Sequence, residues 1–284
     1  MSRPGAAPRL PQGIASYRNC LNGKLGEIWH VGYGLTLANA AGVDYVMNWK
    51  GQLAGISIAV GTQANAPIFA VDTGYFKERK VVQCAISGPR YLGALNVTSP
   101  TPPGSQTDNP RWFVVARSRS AAPGTDGSPF IQTINSPNYN GGSSNIRLIA
   151  TSTGIVSVQS NLYVSTGPFN SYVGSGVVED ITVPRFYDTG LVLAADSGNG
   201  HPQHELRRDR IAVGTVAADG NPASNPENRW GRPNYFAIGS EVGVGGTPTK
   251  AVDASIALWG YATSPLTTAE KDALMRLARA EFLP

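Results

Sequence analysis

Cysteine is scarce in this chain: Cys20 and Cys84 stand alone among 284 residues. Two thiols so far apart supply neither a disulfide framework nor a structural zinc site, and they read as free, buried thiols. Charge is scarce too, at 15% of residues. Lys and Arg number 23 against 19 Asp and Glu, a formal net charge of +4, and the charges are scattered. The densest basic cluster is HELRRDR, His204 to Arg210, which Glu205 and Asp209 dilute. It reads as a solvated surface segment, whereas a nucleic-acid footprint requires a concentrated basic stripe. No nucleic-acid partner is expected. Long apolar runs are missing as well: none approaches the ~18 residues of a membrane span. The opening MSRPGAAPRLPQG lacks the apolar core of a secretory signal, so the expectation is synthesis in a cytoplasm without a signal peptide.

Glycine and proline are plentiful, at 33 and 21 residues, and they cut the chain into strand-length windows. AGISIAVG (Ala54 to Gly61) alternates Ile56 and Ile58 with Ser57 and Ala59, the period of a half-buried strand. RWFVVARS (Arg111 to Ser118) is a continuous apolar run suited to a central strand. NIRLIATSTGIVSVQS reads as a hairpin turning near Thr153 and Gly154. VDASIALWGYA would place Val252, Ala254, Ile256 and Leu258 inward, with Trp259 and Tyr261 on the other face. Many short strands between Gly/Pro turns point to an all-β sandwich or jelly roll. A helix then closes the chain over 267–282. Thr267 and Glu270 fit a capping box; Leu274, Leu277, Ala278 and Phe282 form an apolar arc, opposite Asp272, Arg276 and Arg279. The expected organisation is an extended N-terminal arm over 1–20 and one sandwich over 21–284. Pro4, Pro8 and Pro11 give the arm too little apolar surface to order itself. It reads as a partner-binding segment, with Arg3 and Arg9 pairing carboxylates of a neighbour and Leu10 as apolar anchor.

The C-terminal stretch carries a resemblance. Ala254, Ile256, Trp259 and Tyr261, then Pro265, Leu266, Thr267 and Glu270, follow the strand-then-helix ending of concanavalin A-like, laminin-G-type jelly-roll domains. NWKGQ (Asn48 to Gln52), APIF (Ala66 to Phe69), KVVQC (Lys80 to Cys84), SGPRYL (Ser87 to Leu92) and YFAIGSEVGVGG (Tyr235 to Gly246) resemble further segments of that family. Ala254-Ser255 replaces its usual Gly before the Ile, and Cys84-Ala85 its commoner Phe-Asp pair. The resemblance implies the concanavalin A-like jelly-roll sandwich. It does not decide function, because lectins, glycosidases, adhesion modules and phage surface proteins share the fold.

The residues narrow the choice. Glycosidases of the superfamily carry paired carboxylates on one strand, about 5–5.5 Å apart in retaining enzymes. None of the glutamates here has that spacing. His201, His204 and Glu205 lack the i, i+4 histidine spacing of a zinc protease, and Pro202 lies between the histidines. No Gly-x-Ser-x-Gly elbow occurs. The chain is therefore expected not to be an enzyme. ADSGNG (Ala195 to Gly200) offers calcium one carboxylate where six to eight oxygens are wanted, so a turn is the better reading and no metal or cofactor is expected. Trp230 and Tyr139, in polar Gly/Pro-rich segments, are the candidates for stacking on a glycan. Trp49, Trp112 and Trp259 are expected inside.

Two functions fit. The first, implied by the resemblance, is a non-enzymatic virion structural protein, a phage capsid decoration, head spike or tail component. It would reside in the virion, assemble as a homo-oligomer or with capsid and tail subunits, and bind host-surface glycans. The alternative is a free-standing carbohydrate-binding lectin or adhesin module.

Overall fold

The computed structural model describes residues 12–86, 88, 90–94, 111–120, 128–134, 145–150, 156–164, 167–174, 180–192, 203–217, 235–242 and 248–284. The first element is helix α1 (Gln12–Cys20). Strands β1 (Leu25–His30), β2 (Leu35–Ala40), β3 (Val43–Lys50), β4 (Ser57–Ala59), β5 (Ile68–Val71), β6 (Lys80–Cys84) and β7 (Leu92–Ala94) follow. Next come β8 (Arg111–Ser118), β9 (Ser128–Ile134), β10 (Asn145–Ala150), β11 (Val156–Val164), β12 (Gly167–Gly174) and β13 (Arg185–Val192). The chain continues through β14 (Gln203–Arg208), β15 (Ile211–Ala217), β16 (Tyr235–Ile238), β17 (Ser240–Val242), β18 (Pro248–Ala251) and β19 (Ala254–Ala262). It closes on helix α2 (Thr268–Phe282). For β9 to β12 it is the backbone register that is described.

The pairings are antiparallel and build an all-β sandwich. In the first sheet β15, β14, β13, β8 and β19 lie side by side; β1 and β6 share the far edge of β19, and β5 lies beyond β6. The second sheet runs β2, β3, β4, β7, β16, β9, β10, β11, β12. Strand β3 joins the two, pairing with β5 at Tyr45↔Ile68. Ala41 and Gly42, with φ of 51° and 78°, turn β2 into β3. Those two positive φ values match the tight hairpin turn whose twist suits antiparallel strands.

Aromatic rings fill the space between the sheets. Trp29 stacks on Trp259 with centroids 4.0 Å apart, and Trp112 lies 4.7 Å from Tyr261. Phe236, from the second sheet, closes the cluster 5.5 Å from Trp29 and 5.9 Å from Trp112. Trp49, Trp112 and Trp259 are buried, as expected of them. The run RWFVVARS is indeed central: β8 is buried along its length between β19 and β13. NIRLIA and VSVQS pair as the expected hairpin.

The strand at Ala254 departs from simple alternation. A register shift between Ile256 and Leu258 leaves Ala257 as an extra residue, and a bulge of this kind exchanges the two faces. Ile256 therefore shares the core side with Trp259 and Tyr261, while Leu258 turns outward. All nine residues are buried, because helices cover the outer face.

Helix α2 begins where the sequence indicates. Thr267 is its cap, and both arms of the capping box form. Leu274, Met275, Ala278 and Phe282 are buried against the first sheet, and Leu277 packs on the same core from its margin. Asp272, expected on the solvent side, instead reaches Arg207 at 2.7 Å. Residues 12–20, expected within an extended arm, form α1, whose Ile14 and Tyr17 are fully buried. The periodicity of Ile14, Tyr17 and Leu21 is helical, but three prolines just upstream mask it. Residues 1–11, with Arg3, Arg9 and Leu10, lie outside the described residues.

A candidate binding face

Among the described residues, a cluster of charged side chains lies on the outer face of the first sheet, and there it binds the molecule to itself. Arg111 of β8 pairs with Asp188 of β13 and, at 2.8 Å, with Glu205 of β14. Lys271 of α2 takes the same Glu205 at 2.8 Å. Burial pushes the Asp188 carboxyl above its ordinary value in spite of Arg111 and Arg207. Burial also works against Glu205, but Arg111 and Lys271 outweigh it and hold that carboxyl down. The two acids come together, yet beneath α2. The HELRRDR segment is thus no solvated loop: it forms β14 and a turn, with Leu206 and Arg207 buried.

Three further sites are equally occupied. Arg117 grips Asp72 through both Nε and Nη2, at 2.7 and 2.6 Å, and its guanidinium lies 3.7 Å from the centre of the Tyr75 ring. His30 meets Glu281 at 2.9 Å, and the Tyr17 hydroxyl donates to the other oxygen of Glu281, tying α1 and β1 to the end of α2. Glu27, fully buried, accepts N–H bonds from Ile28, Leu53 and Ile56 at 2.8–3.1 Å. Burial raises its carboxyl above the ordinary value, although those N–H groups pull the other way. Gly51 passes so close to this carboxylate that a Cβ there would strike it. Among the described residues, no three His, Cys, Asp or Glu side chains gather as a metal site requires.

The second sheet is different. Phe236 and Ile238 of β16 are buried in the core, so Ala237 between them belongs to the outer face. Its cross-strand partners run through Gly93 and Ala59 to Asn48 and Thr36 on one side. On the other side they are Gln132, Arg147, Gln159 and Tyr172. One row thus crosses the whole sheet: Gly and Ala at its middle, amides, a guanidinium and a tyrosine at the flanking positions. The row beyond it holds Tyr235, Ile134, Asn145, Asn161 and Asn170. The row between them starts at buried Phe236 and continues through Thr133, Ile146, Ser160 and Ser171, and the next row on that side reads Ile238, Ile131, Leu148, Val158, Val173. Phe236 and Ile238, buried in the core, fix which side of β16 faces it.

Exposure varies along this face. Thr36, Ser57, Ala59 and Lys50 are exposed, Gly93 and Asn48 are half-buried, and Ala237 is closed off. The Oδ1 of Asn48 is buried without a hydrogen-bond partner, which costs free energy unless something donates to it. Gly93 beside exposed Ala59 makes the face shallow there, a trough of small residues where another molecule can approach the backbone. The sequence alone marks none of this, since the row joins residues from widely separated segments. Trp230 and Tyr139, the two positions expected to stack on sugar, lie outside the described residues, as do Ala195 to Gly200 and His201.

No family model matches the chain, and no curated protein matches it. Solved structures do. The chain is similar to an arabinofuranosidase solved with arabinofuranosyl-alpha-1,2-xylobiose, with a TM-score of 0.56 and 9% identity over 91% of this chain and 59% of that one. It also resembles the CBM40 of the Ruminococcus gnavus IT-sialidase, solved with alpha2,3 sialyllactose. There the TM-score is 0.42 and the identity 14%, covering 60% of this chain and 83% of that chain. At 9% identity the likeness to the arabinofuranosidase is one of fold, the β-sandwich already described.

Proposed function

We propose that this protein is a lectin-like β-sandwich that binds glycans, without catalysis, on the outer face of the second sheet. The observation that carries the reading is the cross-strand row from Thr36 to Tyr172. Amide and guanidinium groups donate and accept in planes that suit neighbouring sugar hydroxyls, and an aromatic position supports stacking on a sugar ring. A floor of Ala59 and Gly93 leaves room for that ring. Positions fixed by a ladder of strands hold such groups in register better than a loop does. The fold is one in which other proteins have been solved with glycans, but the reading stands on the row.

A binding role without catalysis is favoured by where the acids lie. In the strands of the second sheet the only carboxylate is Asp44, which is paired with Lys80 at 3.0 Å. The other reading, a virion component assembled through its arm, depends on residues 1–11, which lie outside the described residues.

The test is a glycan panel read by calorimetry on the full chain. At least one glycan should bind, and Ala59→Trp, which fills the trough at an exposed position, should weaken it at least tenfold, about 1.4 kcal/mol. Gln159→Ala should do the same in smaller measure. If both variants bind as the unaltered protein does, with unchanged melting temperature, the glycan sits elsewhere and the proposal is wrong.

A further inference from the structure

The two sheets divide the charge unevenly. The first carries nine charged residues in its strands, and Arg111, Arg117, Asp188, Glu205 and Arg207 among them form internal pairs. Among the strands of the second sheet there are three charged residues: Asp44, Lys50 and Arg147. Asp44 is two residues from the buried Val46, hence on the core side at the rim, and it is spent on Lys80 and Asn39. Lys50 pairs with Ser57 in register, two residues along from Asn48 and Ala59, and so shares the outer face with them. It is exposed and has no ion-pair partner among the described residues. Arg147 occupies the trough row itself, between Gln132 and Gln159. The strand positions of the outer face therefore hold two cations and no carboxylate.

From this asymmetry we infer that the ligand is an acidic polysaccharide, bound by charge complementarity at Lys50 and Arg147 and without a bridging metal ion. The inference rests on the outer face being the glycan site. Two features sharpen it. Calcium-mediated sugar binding needs several oxygen ligands, usually including carboxylates, and the strand positions of this face offer none. The strands of Lys50 and Arg147 are separated by five inter-strand steps, about 24 Å at the usual spacing. One sugar cannot reach both. The ligand is a chain several residues long, with anionic groups spaced along it. Two cationic positions over so wide a face are too few for nucleic acid, whose binding scales with the number of phosphates neutralised.

The experiment uses the full chain against four probes: polygalacturonate as a carboxylated glycan, dextran sulfate as a sulfated one, dextran as a neutral one, and single-stranded homopolymeric DNA. Each is measured with and without EDTA. One or both acidic glycans should bind at least tenfold more tightly than dextran, unchanged by EDTA, and which of them binds identifies the anion. Lys50→Ala and Arg147→Ala should each weaken that binding about three- to tenfold, and short oligomers should bind more weakly than long ones. Lys50 is exposed, so its variant keeps the test sound even where Arg147→Ala lowers stability. Dextran bound as tightly as the acidic glycans and lost in Ala59→Trp would overturn the acidic ligand while leaving the glycan face intact. Binding abolished by EDTA, or DNA preferred over both acidic glycans, would overturn the inference; no binding to any glycan would overturn the face as well.

Discussion

Glu270 shows how much one side chain can organise. Its carboxylate accepts from the Thr267 backbone at 2.8 Å, from Lys24 at 2.8 Å and from Asn22 at 2.8 Å. Burial works to raise its pKa, but Lys24, the Thr267 N–H and Asn22 prevail and bring it to about 2 from an ordinary 4.5. A group whose folded pKa is depressed stabilises the fold while ionised. That contribution is complete above pH 4.5 and drains away as pH falls towards 2. Melting temperature should therefore drop across this window, and Glu270→Gln, less stable near neutrality, should show a shallower drop. Melts followed by circular dichroism at successive pH values settle it; an equally steep fall in the variant would place the acid sensitivity elsewhere. The Thr267–Glu270 box could be read from spacing alone. Lys24 and Asn22 could not, because they come from the other end of the chain and nothing local to Glu270 points to them.

At the level of the element, α2 acts through its buried row. Leu274 is fully buried, whereas Leu277 packs from the margin. Leu274→Ala should cost about 2–5 kcal/mol, the range for emptying a packed core site, and Leu277→Ala distinctly less. Urea unfolding of the two variants measures the difference, and equal losses would mean the helix is seated otherwise than described. The apolar arc was legible because the helical period repeats within one segment. Asp272 was misplaced, since its partner Arg207 arrives on a strand whose position no local pattern reveals. The strand β19 was legible as a strand, but its faces were not. Simple alternation runs straight through Ala257, whereas the single extra residue there reverses the assignment on one side of it.

On the scale of the whole molecule, the first sheet depends on ion pairs that its own helix seals. Arg111→Met should leave Asp188 buried without its main partner and cost about 3–5 kcal/mol, as broken buried pairs do. Adding Asp188→Leu should recover much of the loss, and denaturation of the single and double variants tests the pairing. A double variant no more stable than Arg111→Met alone would show that Asp188 is held chiefly by other groups. The sandwich class could be read from strand-length windows and turn residues. The order of strands could not, and with it the candidate binding row stayed hidden: Asn48, Ala59, Gly93, Ala237 and Arg147 become neighbours only through pairing between distant segments. Trp230 and Tyr139 stood out because aromatics among polar residues are visible singly, while a row of small and amide residues is not. The two helices carry a practical consequence. Tyr17 of α1 and Glu281 of α2 are hydrogen-bonded on the outer face of the first sheet, so both helices sit on the side of the sandwich away from the trough. A tag, a fused domain or a sensor surface attached next to either helix would present the trough outward, and the molecule could be immobilised by either route with that face left free.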